Sequence, residues 1–347
     1  MISSPPALLK QKVQAELEFT NDIVEFFSGR RAGHLSKWLY SNPQFEGDKV
    51  LGTETWRRGI EEAKRGGDYY VFLKEKSVIQ NAIPRLKDVF SRKLRMIDLG
   101  PGSEEAMRDK IMPFVQAYTP NVVEYVGVDV SRDTLVMAKK EVLAAGLPME
   151  ARSLERDFIQ DSFFYGDRVS REVAVIFGLT LCNMTIDPRV PGLPSKLLTS
   201  YFQRLKSHFS ARERFLMVTQ DVNQDPESLK RAYEAFSDHY MRLLYRIQRD
   251  TPVTSGFDPE GFRLEVDYFK DTQACALCFV PKKNMSFSIE DEAFALRKDQ
   301  RLYFHNAFKF DVQTFLSAAR TAGFDVVQSV EEKENPCILH VLKPRVM

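Results

Sequence analysis

Leu94-Arg95-Met96-Ile97-Asp98-Leu99-Gly100-Pro101-Gly102-Ser103 breaks a short apolar run into glycines and a helix-starting serine. Arg95 to Leu99 reads as a buried strand, Gly100 and Gly102 as the turn leaving it, and Ser103 as the N-cap of a helix from Glu104 to about Tyr118. Pro113 should kink or end that helix. Glycines in the turn remove the Cβ atoms that would hold a ligand away from the backbone. A strand, glycine turn and helix in this order is where an open α/β sheet binds a nucleotide-like molecule.

The first helical turn separates the candidate ligands. Glu104 and Glu105 sit where a dinucleotide would place its pyrophosphate, and an anion there wants free N–H groups without fixed negative charge. The pattern also lacks the third glycine of the dinucleotide fingerprint and the lysine of a phosphate-binding loop. Acid beside a glycine turn suits a ligand with a positive end. S-adenosylmethionine, with an ammonium, a sulfonium and no phosphate, meets that description. A dinucleotide-dependent oxidoreductase is the disfavoured rival.

Working outward, Val122 to Val130 forms a second apolar strand, with Asp129 at its end and Ser131 as the next N-cap. Asp129 is placed to accept the hydroxyls of a ribose, at a distance from Gly100 longer than the roughly 20 residues of the dinucleotide pattern. Asp157-Phe158 follows at a third strand end, a pair suited to the edge and face of an adenine. Val173 to Leu181 is the strongest buried strand, and Gly178, Thr180 and Asn183 should face the crevice outside it. Arg214 to Gln220 reads as a fifth strand ending at Asp221. Alternating strands and helices predict a doubly wound α/β sheet.

Upstream, Ala7 to Phe27 has helical spacing, and Tyr69-Tyr70 precedes a helix pattern over roughly Val78 to Phe90. Beyond Pro226 the rhythm changes to one long helix, Glu227 to Ile247, a turn-rich stretch, and strands over Phe262 to Phe269 and Cys275 to Pro281. This looks like an insertion that builds a lid or a substrate pocket. Asp311 then caps a helix ending at Gly323, and two strands, Phe324 to Val330 and Cys337 to Leu342, close the chain.

The 347 residues carry 49 basic and 48 acidic side chains, which leaves no global field for nucleic acid or an anionic membrane. No apolar stretch has the length of a signal core or membrane span, so a cytoplasmic protein acting on a small molecule is expected. Cys275 and Cys278, three apart in a strand, should point to opposite faces rather than share a metal, and no metal site is expected.

With these pieces in order, the sequence resembles the class I S-adenosylmethionine-dependent methyltransferases. More narrowly, it is similar to the family of the ergothioneine-pathway histidine Nα-methyltransferase and its fungal prenyltryptophan N-methyltransferase relatives. The resemblance rests on Asp68-Tyr69-Tyr70, Asp98 to Ser103, Val128 to Ser131, Asp157-Phe158, Phe177 to Asn183, Asp221 to Tyr233 and His305 to Phe310. It implies a Rossmann-like doubly wound sheet over 61–222 and 306–347, with a substrate-binding α+β unit from 1–60 and 223–305. It also implies that Gly100 and Gly102 flank the cofactor's methionine part, that Gly178 is a further cofactor-binding residue, that Asp129 binds ribose, and that Asp157 and Phe158 hold adenine. Tyr70, Asn183, Tyr233 and His305 would form the amino-acid site, with Tyr70, Asn183 and His305 nearest the chemistry.

The departures bear on the substrate. Where the histidine enzyme grips imidazole with a glutamate and, two residues on, a serine, this chain has His305 and Ala307. The family's basic residue at the start of the first helix is replaced near Ala106. The expected substrate is therefore the α-amine of an apolar or aromatic amino acid or derivative, in secondary metabolism. A relative that binds the cofactor or a partner without turnover is the alternative.

Overall fold

The computed structural model describes residues 7–30, 35–39, 53–161, 171–178, 180–209, 213–254 and 256–345. Parts of the first 60 residues and Leu179 of the fourth-strand motif lie outside that set.

Parallel strands β1 (Leu94–Leu99), β2 (Val122–Asp129), β3 (Glu150–Glu155), β4 (Arg171–Ile176) and β5 (Glu213–Asp221) are joined by β11 (Phe324–Val330) and β12 (Cys337–Pro344). The order across the sheet is β11-β12-β5-β4-β1-β2-β3. β12 runs antiparallel to both β5 and β11. Alternate residues of the inner strands feed opposite cores. Ile97, Ala174 and Leu216 meet Phe202 and Phe315 of the helices Leu193–His208 and Val312–Thr321. Met96, Val173 and Met217 meet Ile79 and Ala138 of the helices Tyr70–Ala82 and Arg132–Ala144. Helices on both faces make this a Rossmann-like, doubly wound α/β sheet.

A third cluster joins Phe19, Ile23 and Phe27 of the helix Ala7–Phe27 to Leu229, Tyr240 and Leu244 and to a second sheet. That sheet is antiparallel, in the order β10 (Leu302–Phe308), β7 (Ala274–Pro281), β6 (Phe262–Phe269). Cys275 joins this cluster and Cys278 a different one, as their spacing in a strand requires.

Several boundaries differ from the sequence reading. β4 stops at Ile176, because Gly178 turns the chain with φ +88° and Thr180–Cys182 form a helical turn. The helix expected from Val78 begins at Tyr70 and ends at Ala82, two residues before Pro84, which has no N–H and restricts the residue ahead of it. The expected helix Glu227 to Ile247 is two, Pro226–Glu234 and Ser237–Asp250, broken where Phe236 packs on Gly59. Pro113 does not end its helix; the turn before it, Met107–Ile111, widens to a π-helical turn and the helix resumes over Met112–Ala117. The hairpin β8 (Met285–Ile289) and β9 (Glu292–Leu296), and β10, were not anticipated.

An ion ladder ties four parallel strands together. Arg95, fully buried on β1, donates to Glu124 on β2 at 2.7 Å and to Glu172 on β4 at 3.0 Å. Arg152 on β3 reaches Glu124 at 3.0 Å.

Candidate active site

The carboxyl ends of β1, β2 and β4 open into a cleft of about 900 Å³. That lies at the upper end of the roughly 300–1,000 Å³ of small-molecule sites. It has room for a nucleoside-sized cofactor and a second small molecule. Gly100, Gly102, Asp129, Asp157, Phe158, Gly178, Asn183, Tyr233 and His305 all line it. Tyr70 is not among the lining residues; Tyr69 is. The Tyr70 hydroxyl instead donates to Asp221 at 2.7 Å, and Lys309 donates to the same Asp221 oxygen at 2.6 Å.

The glycines carry the backbone around the crevice between β1 and β4, the point where strand order reverses. Gly100 has φ +84° and Gly102 φ +75°, conformations L side chains rarely adopt. A Cβ at Gly100 would lie 3.7 Å from the Phe158 ring and 3.8 Å from the Thr180 hydroxyl, in the space a ligand would use. Ser103 caps the following helix by accepting from Ala106 N–H at 3.2 Å, as its position predicts.

The carboxylates differ from the sequence-based expectation. Neither Glu104 nor Glu105 lines the cleft: Glu104 pairs with Arg108 at 3.1 Å and Glu105 is buried. Ala106 occupies the cleft-facing position of that turn. The acid at the glycine turn is Asp98, the last polar residue of β1, whose role the apolar run around it concealed. It accepts from the Tyr125 hydroxyl at 2.8 Å, and burial pushes its carboxyl up to about 7. Asp129 accepts the Ser131 N–H at 2.7 Å, and burial outweighs that bond, also raising it to about 7. Asp157 accepts from the N–H groups of Ile159 and Gln160, which fixes the loop that presents Phe158.

This pair sets a pH dependence. With folded values raised above the ordinary carboxylate value, both groups are largely protonated at pH 6 and ionised at pH 8. The folded chain binds the extra protons, so their contribution to stability falls as pH rises from about 4 to 7. Affinity for a cationic ligand should move the other way. We expect S-adenosylmethionine to bind about tenfold more tightly at pH 8 than at pH 6 for each carboxylate that must ionise. Calorimetric titration across that range checks it, and a flat profile rejects it.

The opposite wall is aromatic: Trp56, Tyr69, Phe72, Tyr233 and Tyr240. Tyr69 stands 4.3 Å from Phe236 and 6.4 Å from Tyr233, ring to ring. His305, on β10, lies 5.6 Å from the Tyr240 ring and is 2 % exposed. Burial, reinforced by the Lys309 charge, lowers its imidazole to about 4, so it is neutral near pH 7 and a weak proton acceptor. Ala307, the second substituted position, is buried in the core and does not line the cleft. Sequence reading did not assign Trp56, Tyr69, Phe72 and Tyr240 to the site, since aromatics within helices, or paired ahead of one as Tyr69 is with Tyr70, look like packing residues.

The residues fit S-adenosylmethionine: glycines at close approach, buried carboxylates for a ribose and a cationic end, and an aromatic edge at Phe158. The model of a family described as histidine-specific, S-adenosylmethionine-dependent methyltransferases matches residues 19–344. The chain belongs to that family. The methyltransferase is 27 % identical over 256 residues to the uncharacterized protein y4iF of Sinorhizobium fredii, covering 72 % of this chain and 80 % of that one. Solved structures similar to it include an S-adenosylmethionine-dependent methyltransferase from Clostridium acetobutylicum, with 11 % identity, a TM-score of 0.41, and coverage of 77 % and 91 %. Another is the sugar N-methyltransferase KedS8 of a Streptoalloteichus species, with 11 % identity, a TM-score of 0.39, and coverage of 81 % and 91 %. The cofactor of this methyltransferase is S-adenosylmethionine. No helix among the described residues is long and apolar enough to cross a membrane.

Proposed function

We propose that this methyltransferase transfers a methyl group to the α-amine of an apolar or aromatic amino acid, or a derivative of one, in preference to histidine. The observation that carries the reading is His305. At the cleft wall where an imidazole substrate needs a charged partner, the chain offers a buried, neutral ring among aromatic side chains. A site lacking polar partners for a substrate group forfeits the discrimination those bonds supply. The third hydrophobic cluster supports reading 1–60 and 223–305 as the substrate unit, because Tyr233 and Tyr240 of the aromatic wall belong to it and Trp56 packs against it, while Tyr69 and Phe72 reach the same wall from the other unit.

The bound cofactor supplies an electrophilic methyl group on a positively charged sulfur. Gly100, Gly102 and Gly178 allow it close to the backbone, Asp129 accepts the ribose hydroxyls, and Asp157 and Phe158 enclose adenine. Asn183 offers a donor and an acceptor to the substrate amine and carboxylate. Tyr233 and its aromatic neighbours exclude water, and most of the acceleration comes from holding nitrogen, carbon and sulfur in line. The amine must give up its proton to bulk solvent before it attacks, because a His305 imidazole lowered to about 4 is a poor acceptor for it.

Offering methyl-labelled cofactor with a panel of amino acids, and reading products by mass spectrometry, tests the reading. Label on the α-nitrogen of an aromatic or aliphatic amino acid, with histidine poorer, is the expected outcome; preference for histidine or no transfer overturns it. Asp129→Ala should weaken S-adenosylmethionine binding by about 10- to 100-fold, the worth of hydrogen bonds to a charged group. Unchanged affinity by calorimetry would remove Asp129 from the ribose site.

A further inference from the structure

The cofactor carries a carboxylate as well as its two positive groups, and a carboxylate taken into a cleft needs a cation. Four lysine and arginine side chains line the cleft among the described residues: Arg30, Lys37, Lys110 and Arg189. Three have exposed side chains, at 54 %, 40 % and 58 %, and are paired with acids of their own: Arg30 with Glu292, Lys37 with Glu18 and Asp22, Arg189 with Asp187. Lys110 is also paired, with Glu75, but differs in burial, its side chain being 5 % exposed. It sits four residues after Ala106 on the same helix, so both project from the face that covers the glycine turn.

The surroundings of Lys110 make it a built position. Its ammonium donates to Glu75 Oε2 and lies 4.3 Å from the centre of the Phe72 ring. The other Glu75 oxygen accepts the Gly178 N–H and the Thr219 hydroxyl. Three donors therefore share one carboxylate, and the lysine is tied through it to the glycine at the end of β4. An ammonium has three N–H donors, and Glu75 uses one.

We propose that Lys110, the buried cation of this cleft among the described residues, binds the carboxylate at the amino-acid end of S-adenosylmethionine. The inference rests on the cofactor lying in this cleft. Asp98, at the end of β1, lines the same cleft and, once ionised, gives the ammonium of that amino-acid group a partner separate from the carboxylate's.

The test compares S-adenosylmethionine with its decarboxylated form, which keeps the adenosine, sulfonium and ammonium but lacks the carboxylate. Lys110→Met should weaken binding of the first by about 10- to 100-fold and change the second by less than about twofold. Lys110→Arg should recover most of the loss. Because Lys110→Met strands the Glu75 charge, the paired variant Glu75→Gln with Lys110→Gln gives the same comparison without a buried unpaired ion. Equal losses for both ligands, or none for S-adenosylmethionine, overturn the assignment. A wild-type chain that binds neither ligand instead overturns the cofactor's place in the cleft, and the inference with it.

Discussion

Arg95→Ala is expected to destabilise the fold by about 3–5 kcal/mol, because it leaves buried carboxylates behind rather than merely losing an attraction. Glu172 and Glu124 flank Arg95 on the neighbouring strands, and both are buried. Arg152 reaches Glu124 as well, so part of the charge on that carboxylate stays compensated in the variant. Removing all three charges together, with Arg95→Met, Glu124→Leu and Glu172→Leu, should recover most of the stability, since a packed apolar replacement avoids the desolvation of every member. Urea unfolding reads both variants. A loss below about 1 kcal/mol for Arg95→Ala would show the ladder to be no more than a surface pair in effect.

Asn183→Ala is expected to lower kcat/KM by about 100-fold, the scale of a reacting group displaced from its attack position, while leaving S-adenosylmethionine affinity nearly unchanged. Asn183 follows the helical turn Thr180–Cys182, and its backbone N–H donates to the Thr180 carbonyl at 3.1 Å. Asn183 lines the cleft together with Tyr233 and His305, and the turn before it packs against the strand that carries His305. Steady-state kinetics paired with calorimetry separates the two effects. Loss of cofactor binding in proportion to turnover would move Asn183 out of the substrate site.

The sheet was legible because each inner strand announces itself twice, by an apolar run and by the turn and cap residues at its end. Leu99 to Ser103 and Asp129 to Ser131 pair a strand end with a turn residue and a cap, and both caps form as expected. The candidate cofactor residues were readable for the same reason, since they sit at those ends. Arg95 was not legible as a buried ion, because its two partners lie 29 and 77 residues away and meet it only through strand register. Tyr69 and Tyr70 show a different limit. Adjacent residues on a helix start point about 100° apart, so only the position of the first helical residue decides which ring meets the cleft. Moving that start from Val78 to Tyr70 exchanges their surroundings.

The widened turn at Met107–Ile111 holds one more residue than an ordinary helical turn would. It behaves as a one-residue insertion kept inside a continuous rod. Counting in steps of 3.6 from Ser103 therefore misnumbers the faces beyond Ile111. A deletion of one residue within the widened turn would rejoin the regular spiral and leave Phe114 and Val115, both fully buried, facing the core they fill, whereas tightening the turn without a deletion would swing them away. In this helix, length and phase are separate inheritances.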